Sequence, residues 1–217
     1  MPSSPLAELW LRGVAANPAA TPEVLLRLLD PAARAAWKSL CEERDLPPEV
    51  VEEVITHPER EVRRGFARNQ RVATTQRGRL VNDPDVLVRA ALATGPRPRP
   101  ARIETLPDDV LETLLTAHDD TGQGQILTAD EIKEELEMSG QIPSSFRCRM
   151  PDHKNSELRA RAVRLWLWLT PGQRDALLTD PDPVVRDAAR VESRILDAAA
   201  MAADLPEPDC HHRSLML

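Results

Sequence analysis

The chain repeats one phrase with small changes: an apolar helix, usually opened by proline, then a short polar corner, then Val-Arg. It occupies residues 47–63, ending His57-Pro58-Glu59-Arg60-Glu61-Val62-Arg63, and residues 74–89, ending Asp83-Pro84-Asp85-Val86-Leu87-Val88-Arg89. It returns at 171–186, ending Asp180-Pro181-Asp182-Pro183-Val184-Val185-Arg186, with a worn copy, His153-Lys154-Asn155-Ser156-Glu157-Leu158-Arg159, before it. Arg63 and Arg89 stand 26 residues apart, Arg89 and Arg159 70 apart, and Arg159 and Arg186 27 apart, so one length holds except across an insertion. A fixed period of this size predicts an all-α fold of stacked helical units, because a single short unit cannot bury its own apolar face. In each second helix apolar residues recur four apart, as Val62/Phe66, Val88/Leu92, Leu158/Ala162 and Val185/Ala189, which predicts one inward column per unit.

The composition supports a buried core. The chain has 217 residues, of which 41% are hydrophobic and 29% charged. With Trp 4, Phe 2 and Tyr 0, that core must be aliphatic. Twenty prolines rule out long helices but suit the first turns of many short ones. A helix is expected around 6–16, then Asn17-Pro18, then a helix at 24–29 capped by Thr21 with Pro22 in its first turn. A second helix, 31–43, would turn Trp37 and Leu40 inward; further units span about 46–69, 72–94 and 169–203.

Asn17-Pro18, Thr21-Pro22 and Val24-Leu25, followed by corners of the form Asp-Pro-Asp-x-x-Val-Arg, resemble the leucine-rich repeat variant group and its HEAT-like relatives. The resemblance covers 6–120 and 147–191. It implies a short right-handed α-solenoid of about five helical repeats, in which one layer is 3₁₀ rather than α. The 26- or 27-residue unit is shorter than the roughly 40 residues of HEAT repeats and favours the variant group. That group shares a shape and no common reaction, and the cysteine-rich iron–sulfur segment of one member has no counterpart here. The expected organisation is a helical repeat domain over 1–203, interrupted by an insertion over about 95–146, and a loose tail over 204–217.

The insertion opens with Gly95-Pro96-Arg97-Pro98-Arg99-Pro100, an extended linker by composition, and continues with a helix carrying Val110, Leu111, Leu114 and Leu115 as a stripe. The segment 119–130 has part of a calcium-loop pattern, with Asp119, Thr121, Gln123, Gly124 and Ile126 in place. Asp130, however, stands where a bidentate glutamate is required. The competing reading is a glycine turn followed by a helix that the box Thr128-Ala129-Asp130-Glu131 caps. Charge falls in blocks: residues 58–102 carry eleven arginines against four carboxylates, and residues 104–137 eleven carboxylates against Lys133. The acidic insertion either lies against the arginine-bearing ridge as plain structure or gates a basic surface.

Arg63, Arg89, Arg159 and Arg186 should emerge at the corners near residues 57, 83, 153 and 180, tying helix-end carbonyls to the neighbouring corner's carboxylate or meeting a partner. If their segment is one helix, Trp166 and Trp168 cannot both face one core, which would leave one as a candidate partner contact; the competing reading is that the following unit or the C-terminal helix packs both. No phosphate-cradling glycine loop, nucleophile elbow or His-Glu-x-x-His pair is present, and no enzyme activity is expected. Cys41, Cys148 and Cys210 are odd in number and far apart, as reduced thiols are; Cys210-His211-His212 lacks the second ligand pair that a closed metal site needs, and no cofactor is expected. With no leader-like segment and no run long enough to span a bilayer, the chain is expected in the cytoplasm, away from membranes. The best fit is a non-catalytic scaffold that binds a protein or peptide partner through Arg63, Arg89, Arg159, Arg186, Trp166 and Trp168. The alternative is a HEAT-like nucleic-acid-binding or DNA glycosylase-type protein using 58–102, which the net charge of −7 opposes. The oligomeric state stays open.

Overall fold

In the computed structural model, which describes residues 4–119 and 126–195, the ordered elements are all helical. Residues 120–125 of the expected calcium loop, the Cys210-His211-His212 group and the tail 204–217 lie outside the described residues. The chain parts into two compact units, Met1–Ile142 and Pro143–Leu217, and the boundary falls inside the expected insertion.

The first unit begins with α1 (Pro5–Ala16) and α2 (Pro22–Arg27). Thr21 stands at the start of α2, but its side chain does not cap the helix and instead hydrogen-bonds the Glu23 carboxylate. The expected helix at 31–43 divides into a 3₁₀ turn, Pro31–Ala36, and α3 (Trp37–Cys41), with Ala33 out of helical geometry at φ −100°. Then come α4 (Pro48–Thr56) and α5 (Arg60–Ala67), α6 (Thr74–Gly78) and α7 (Val86–Thr94), and α8 (Asp108–Leu115) and α9 (Ala129–Ser139). Helices α3, α5, α7 and α9 pack successively against one another, with α1 beyond α3. The insertion thus supplies α9 as the next helix of this row. Its stripe Val110, Leu111, Leu114 and Leu115 is buried, and Thr128 and Glu131 form the expected capping box. The Arg97–Pro98 peptide bond is cis, which interrupts the extended run expected of Gly95-Pro100.

The second unit contains α10 (Ser144–Arg149), a 3₁₀ turn Met150–Asp152, α11 (Ser156–Ala162), a 3₁₀ segment Val163–Trp168, α12 (Pro171–Leu178) and α13 (Pro183–Ile195). Its core joins Val163, Trp166, Leu169, Leu177, Val185 and Ala189. Across both units the four predicted apolar pairs have no exposed surface, so each column is the spine of its repeat.

Gln141 joins α9 to α7. It is fully buried, and its Nε2 donates to the Leu92 and Ala93 carbonyls at 3.0 and 2.8 Å, two of the acceptors left open at the end of α7. Gly95 makes room for it. A Cβ there would lie 2.9 Å from the Gln141 side chain, and the backbone at φ +73° disfavours other residues. Gln141→Met, similar in volume but unable to donate, should destabilise the protein by about 1–3 kcal/mol in chemical denaturation, the cost of buried carbonyls losing their donor.

Candidate functional site

The corners share one local design. The residue that opens each corner accepts, through its side chain, the N–H two residues on: His57 from Glu59 at 3.1 Å, Asp83 from Asp85 at 2.9 Å, His153 from Asn155 at 3.1 Å and Asp180 from Asp182 at 2.9 Å. Asp30 does the same with Ala32 at 2.8 Å. Asp30-Pro31 is therefore a further corner, 27 residues before His57, which the Val-Arg signature misses because Ala36 stands where the arginine would be.

The arginine of each corner folds back over it. Nη1 donates to the carbonyl six residues earlier in all four: Arg63 to His57 at 2.6 Å, Arg89 to Asp83 at 2.7 Å, Arg159 to His153 at 2.8 Å and Arg186 to Asp180 at 2.6 Å. Two of them also reach forward into the next corner. Arg63 Nε and Nη2 meet the two carboxylate oxygens of Asp83 at 2.6 and 3.1 Å, and Arg159 meets Asp180 in the same way at 2.6 and 2.9 Å. The carboxylates are only 3% and 5% exposed, so each pair is desolvated and bidentate, the geometry in which a guanidinium binds most strongly. The Arg159 hydrogen bonds hold the Asp180 carboxyl below its ordinary value, against the opposing effect of burial. The opening residue follows the preceding repeat: it is Asp where that repeat supplies Arg63 or Arg159, and His57, whose Nε2 lies 3.2 Å from the Leu29 carbonyl, where it supplies Ala36.

Other side chains span one repeat length, among them Asn69 to the Arg44 carbonyl at 2.9 Å, Arg34 to Glu61 at 2.9 Å and Arg79 to Glu52 at 2.6 Å. Within the basic stretch, Arg60 also pairs with Asp85 and Arg97 with Glu135. Arg77 is the largest fully buried side chain. It donates to Ala67 O at 3.3 Å, its Nε lacks a partner, and desolvation lowers its pKa. No sequence signal separates Arg77 from its exposed neighbours.

The two tryptophans of the second unit part, against the reading that packs both. In the 3₁₀ segment, residues two apart point in different directions. Trp166 is buried, with the Arg174 guanidinium 5.8 Å from its ring centre, while Trp168 is 87% exposed and Leu167 beside it 69% exposed. On α1, Leu6, Leu9 and Trp10 are exposed too. Arg89 borders a groove of about 540 Å³ with Val86, Leu114, His118 and Ile132.

Among the described residues no cluster of His, Cys, Asp and Glu is placed to hold a metal ion, and no helix is long and apolar enough to cross a membrane. Cys41 and Cys148 are unpaired, and burial pushes the Cys41 thiol up to about 12, far from the reactive range.

Asp180→Asn should weaken the second unit by about 1.5–3 kcal/mol, since it takes the charged acceptor from a half-buried guanidinium. The pH dependence has a definite sign. With its folded-state pKa depressed, Asp180 contributes stability above the unfolded value of about 3.9, and loses it as pH falls through the lower folded value. Urea titrations of the native and Asp180→Asn proteins should therefore converge as the solution is acidified below about pH 4.

No family model, curated relative or solved structure matches the chain.

Proposed function

We propose that this chain is a non-catalytic interaction scaffold, built as a short right-handed α-solenoid of leucine-rich-repeat-variant or HEAT-like type, that binds a protein or peptide partner in the cytoplasm. The observation that carries the reading is the outward Trp168 with Leu167 beside it. Their segment is held from within by buried Val163 and Trp166, and from outside by Arg174, whose Nε donates to the Trp166 carbonyl at 3.0 Å. A large apolar side chain on a fixed backbone loses little entropy on binding and buries much area, which makes tryptophan a frequent anchor of interfaces.

The arginines divide. Arg63 and Arg159 act in this reading as positioning residues, since their forks are occupied by Asp83 and Asp180. Arg89, which borders its groove, and Arg186 remain candidate contacts in this reading. The basic stretch 58–102 gives the nucleic-acid reading little support, because Arg60, Arg63, Arg79 and Arg97 meet carboxylates and Arg77 is buried.

Trp168→Ala should leave circular dichroism and the unfolding midpoint unchanged, since the side chain is 87% exposed. Retention of native-cell proteins on the immobilised chain should fall at least tenfold, in keeping with a hot-spot loss of about 2 kcal/mol. Equal retention by the two proteins would refute the proposal.

A further inference from the structure

Arginine in the first unit usually meets a carboxylate of a neighbouring repeat: Arg34 meets Glu61, Arg79 meets Glu52 and Arg63 meets Asp83. Arg64 and Arg68 do not. They stand one turn apart on α5, on the face opposite the buried Val62 and Phe66. Among the described residues neither has an ion pair or a hydrogen bond. In each, Nε is out of solvent without an acceptor, while the side chain as a whole stays partly exposed. A buried N–H without an acceptor is costly, and two of them a turn apart mark a place where an acceptor from outside the chain is favourable.

The charges around them do not balance. Burial first, and then the charges of Arg64 and Arg97, depress the pKa of Arg68, and only Glu42 opposes them. Glu42, just past α3, is an incomplete counter-ion, because burial raises its carboxyl above the ordinary value against the pull of Arg68, Lys38 and Arg64. Arg97, which follows α7, gives one nitrogen to Glu135 at 3.4 Å, with both side chains about half exposed. Three guanidiniums therefore share one under-matched patch. Room is left beside them: α5 packs against α7, where the positions 26 residues after Arg64 and Arg68 hold the short side chains of Ala90 and Thr94. The forks of three arginines offer more donors than the two oxygens of a carboxylate can take. A phosphate monoester brings three acceptor oxygens and close to two negative charges at neutral pH.

We propose that Arg64, Arg68 and Arg97 form a binding site for a phosphate group, with α5 supplying two of the three guanidiniums. The ligand is a phosphate monoester or free phosphate, which share the chemistry the site reads. The site lies wholly within the first unit and is independent of any partner at Trp168.

The buried Nε–H groups report on this site directly. The full-length protein, labelled with nitrogen-15, is titrated with inorganic phosphate and separately with phenyl phosphate while the arginine Nε–H resonances are followed, those of Arg64 and Arg68 being identified from Arg64→Lys and Arg68→Lys. Expected is a saturable shift of both resonances, with a dissociation constant that rises about tenfold in Arg64→Gln and in Arg68→Gln, the loss of one charge-assisted fork. Arg60→Gln removes a cation of the same helix that already pairs with Asp85, and should change the constant less than about twofold. Where an α5 variant alters the circular dichroism, Arg97→Gln, outside the helix, decides by weakening binding at least about threefold. Equal constants for the two probes identify free phosphate as the ligand, and tighter binding of phenyl phosphate identifies an organic monoester; either supports the site. The proposal is overturned if phosphate shifts neither resonance, if acetate binds as tightly, or if Arg60→Gln weakens binding as much as Arg64→Gln. It is also overturned if an oligothymidine displaces phosphate at a lower phosphate concentration, which would make the patch a nucleic-acid surface.

Discussion

At two corners of this fold a desolvated carboxylate is kept because a guanidinium meets both its oxygens, and that fork fixes how the two repeats it joins are aligned. Asp83 and Asp180 are nearly out of water, and each is held by a planar fork from the preceding corner. Point-charge attraction would tolerate a range of positions, whereas two parallel N–H bonds at 2.6–3.1 Å do not. The same guanidinium also takes two carbonyls of its own corner, so one side chain fixes the helix start, the corner and the distance to the next corner together. Apolar columns such as Val62/Phe66 supply the driving force for burial, and the forks decide the alignment in which burial occurs.

Much of this was legible in the residues before any coordinates. The four-residue spacing within the helices identified all eight members of the buried columns, because a helix facing one neighbour on one side has no other way to write its sequence. The arginine's return to the carbonyl six positions back was readable for a similar reason: a five-donor side chain one residue beyond a buried position has few other acceptors in reach. The pairing of Trp166 and Trp168 left two readings open, one tryptophan at the surface or both packed, and only the fold decides between them.

What stayed hidden depended on partners far along the chain. The Asp30 corner escaped notice because its arginine is replaced by Ala36, which removes the Val-Arg mark while leaving the turn intact. Gln141 looks like any polar loop residue until α9 is packed on α7 and its amide reaches two carbonyls nearly fifty residues away. The opposite charges of 58–102 and 104–137 suggested mutual attraction as the organising force. The structure instead satisfies Arg63, Arg79 and Arg60 within the repeats, and the insertion joins the row through apolar contacts of α8 and α9, with Arg97 and Glu135 meeting at an exposed edge. Short-range ion pairs at repeat spacing outcompete the long-range attraction between charged blocks, which solvent screens.

The dependence of Asp83 and Asp180 on the arginine of the repeat behind them limits how such a protein can change length. A genetic deletion that placed Asp83 behind Ala36 would bury an acid with no cation, and one that placed His57 behind Arg63 would leave a guanidinium without its counter-ion. Modules of this chain are therefore not freely exchangeable. Gain or loss of a unit survives selection only when the break falls so that fork and acid travel together, which makes the pair, and not the helical hairpin, the heritable building block.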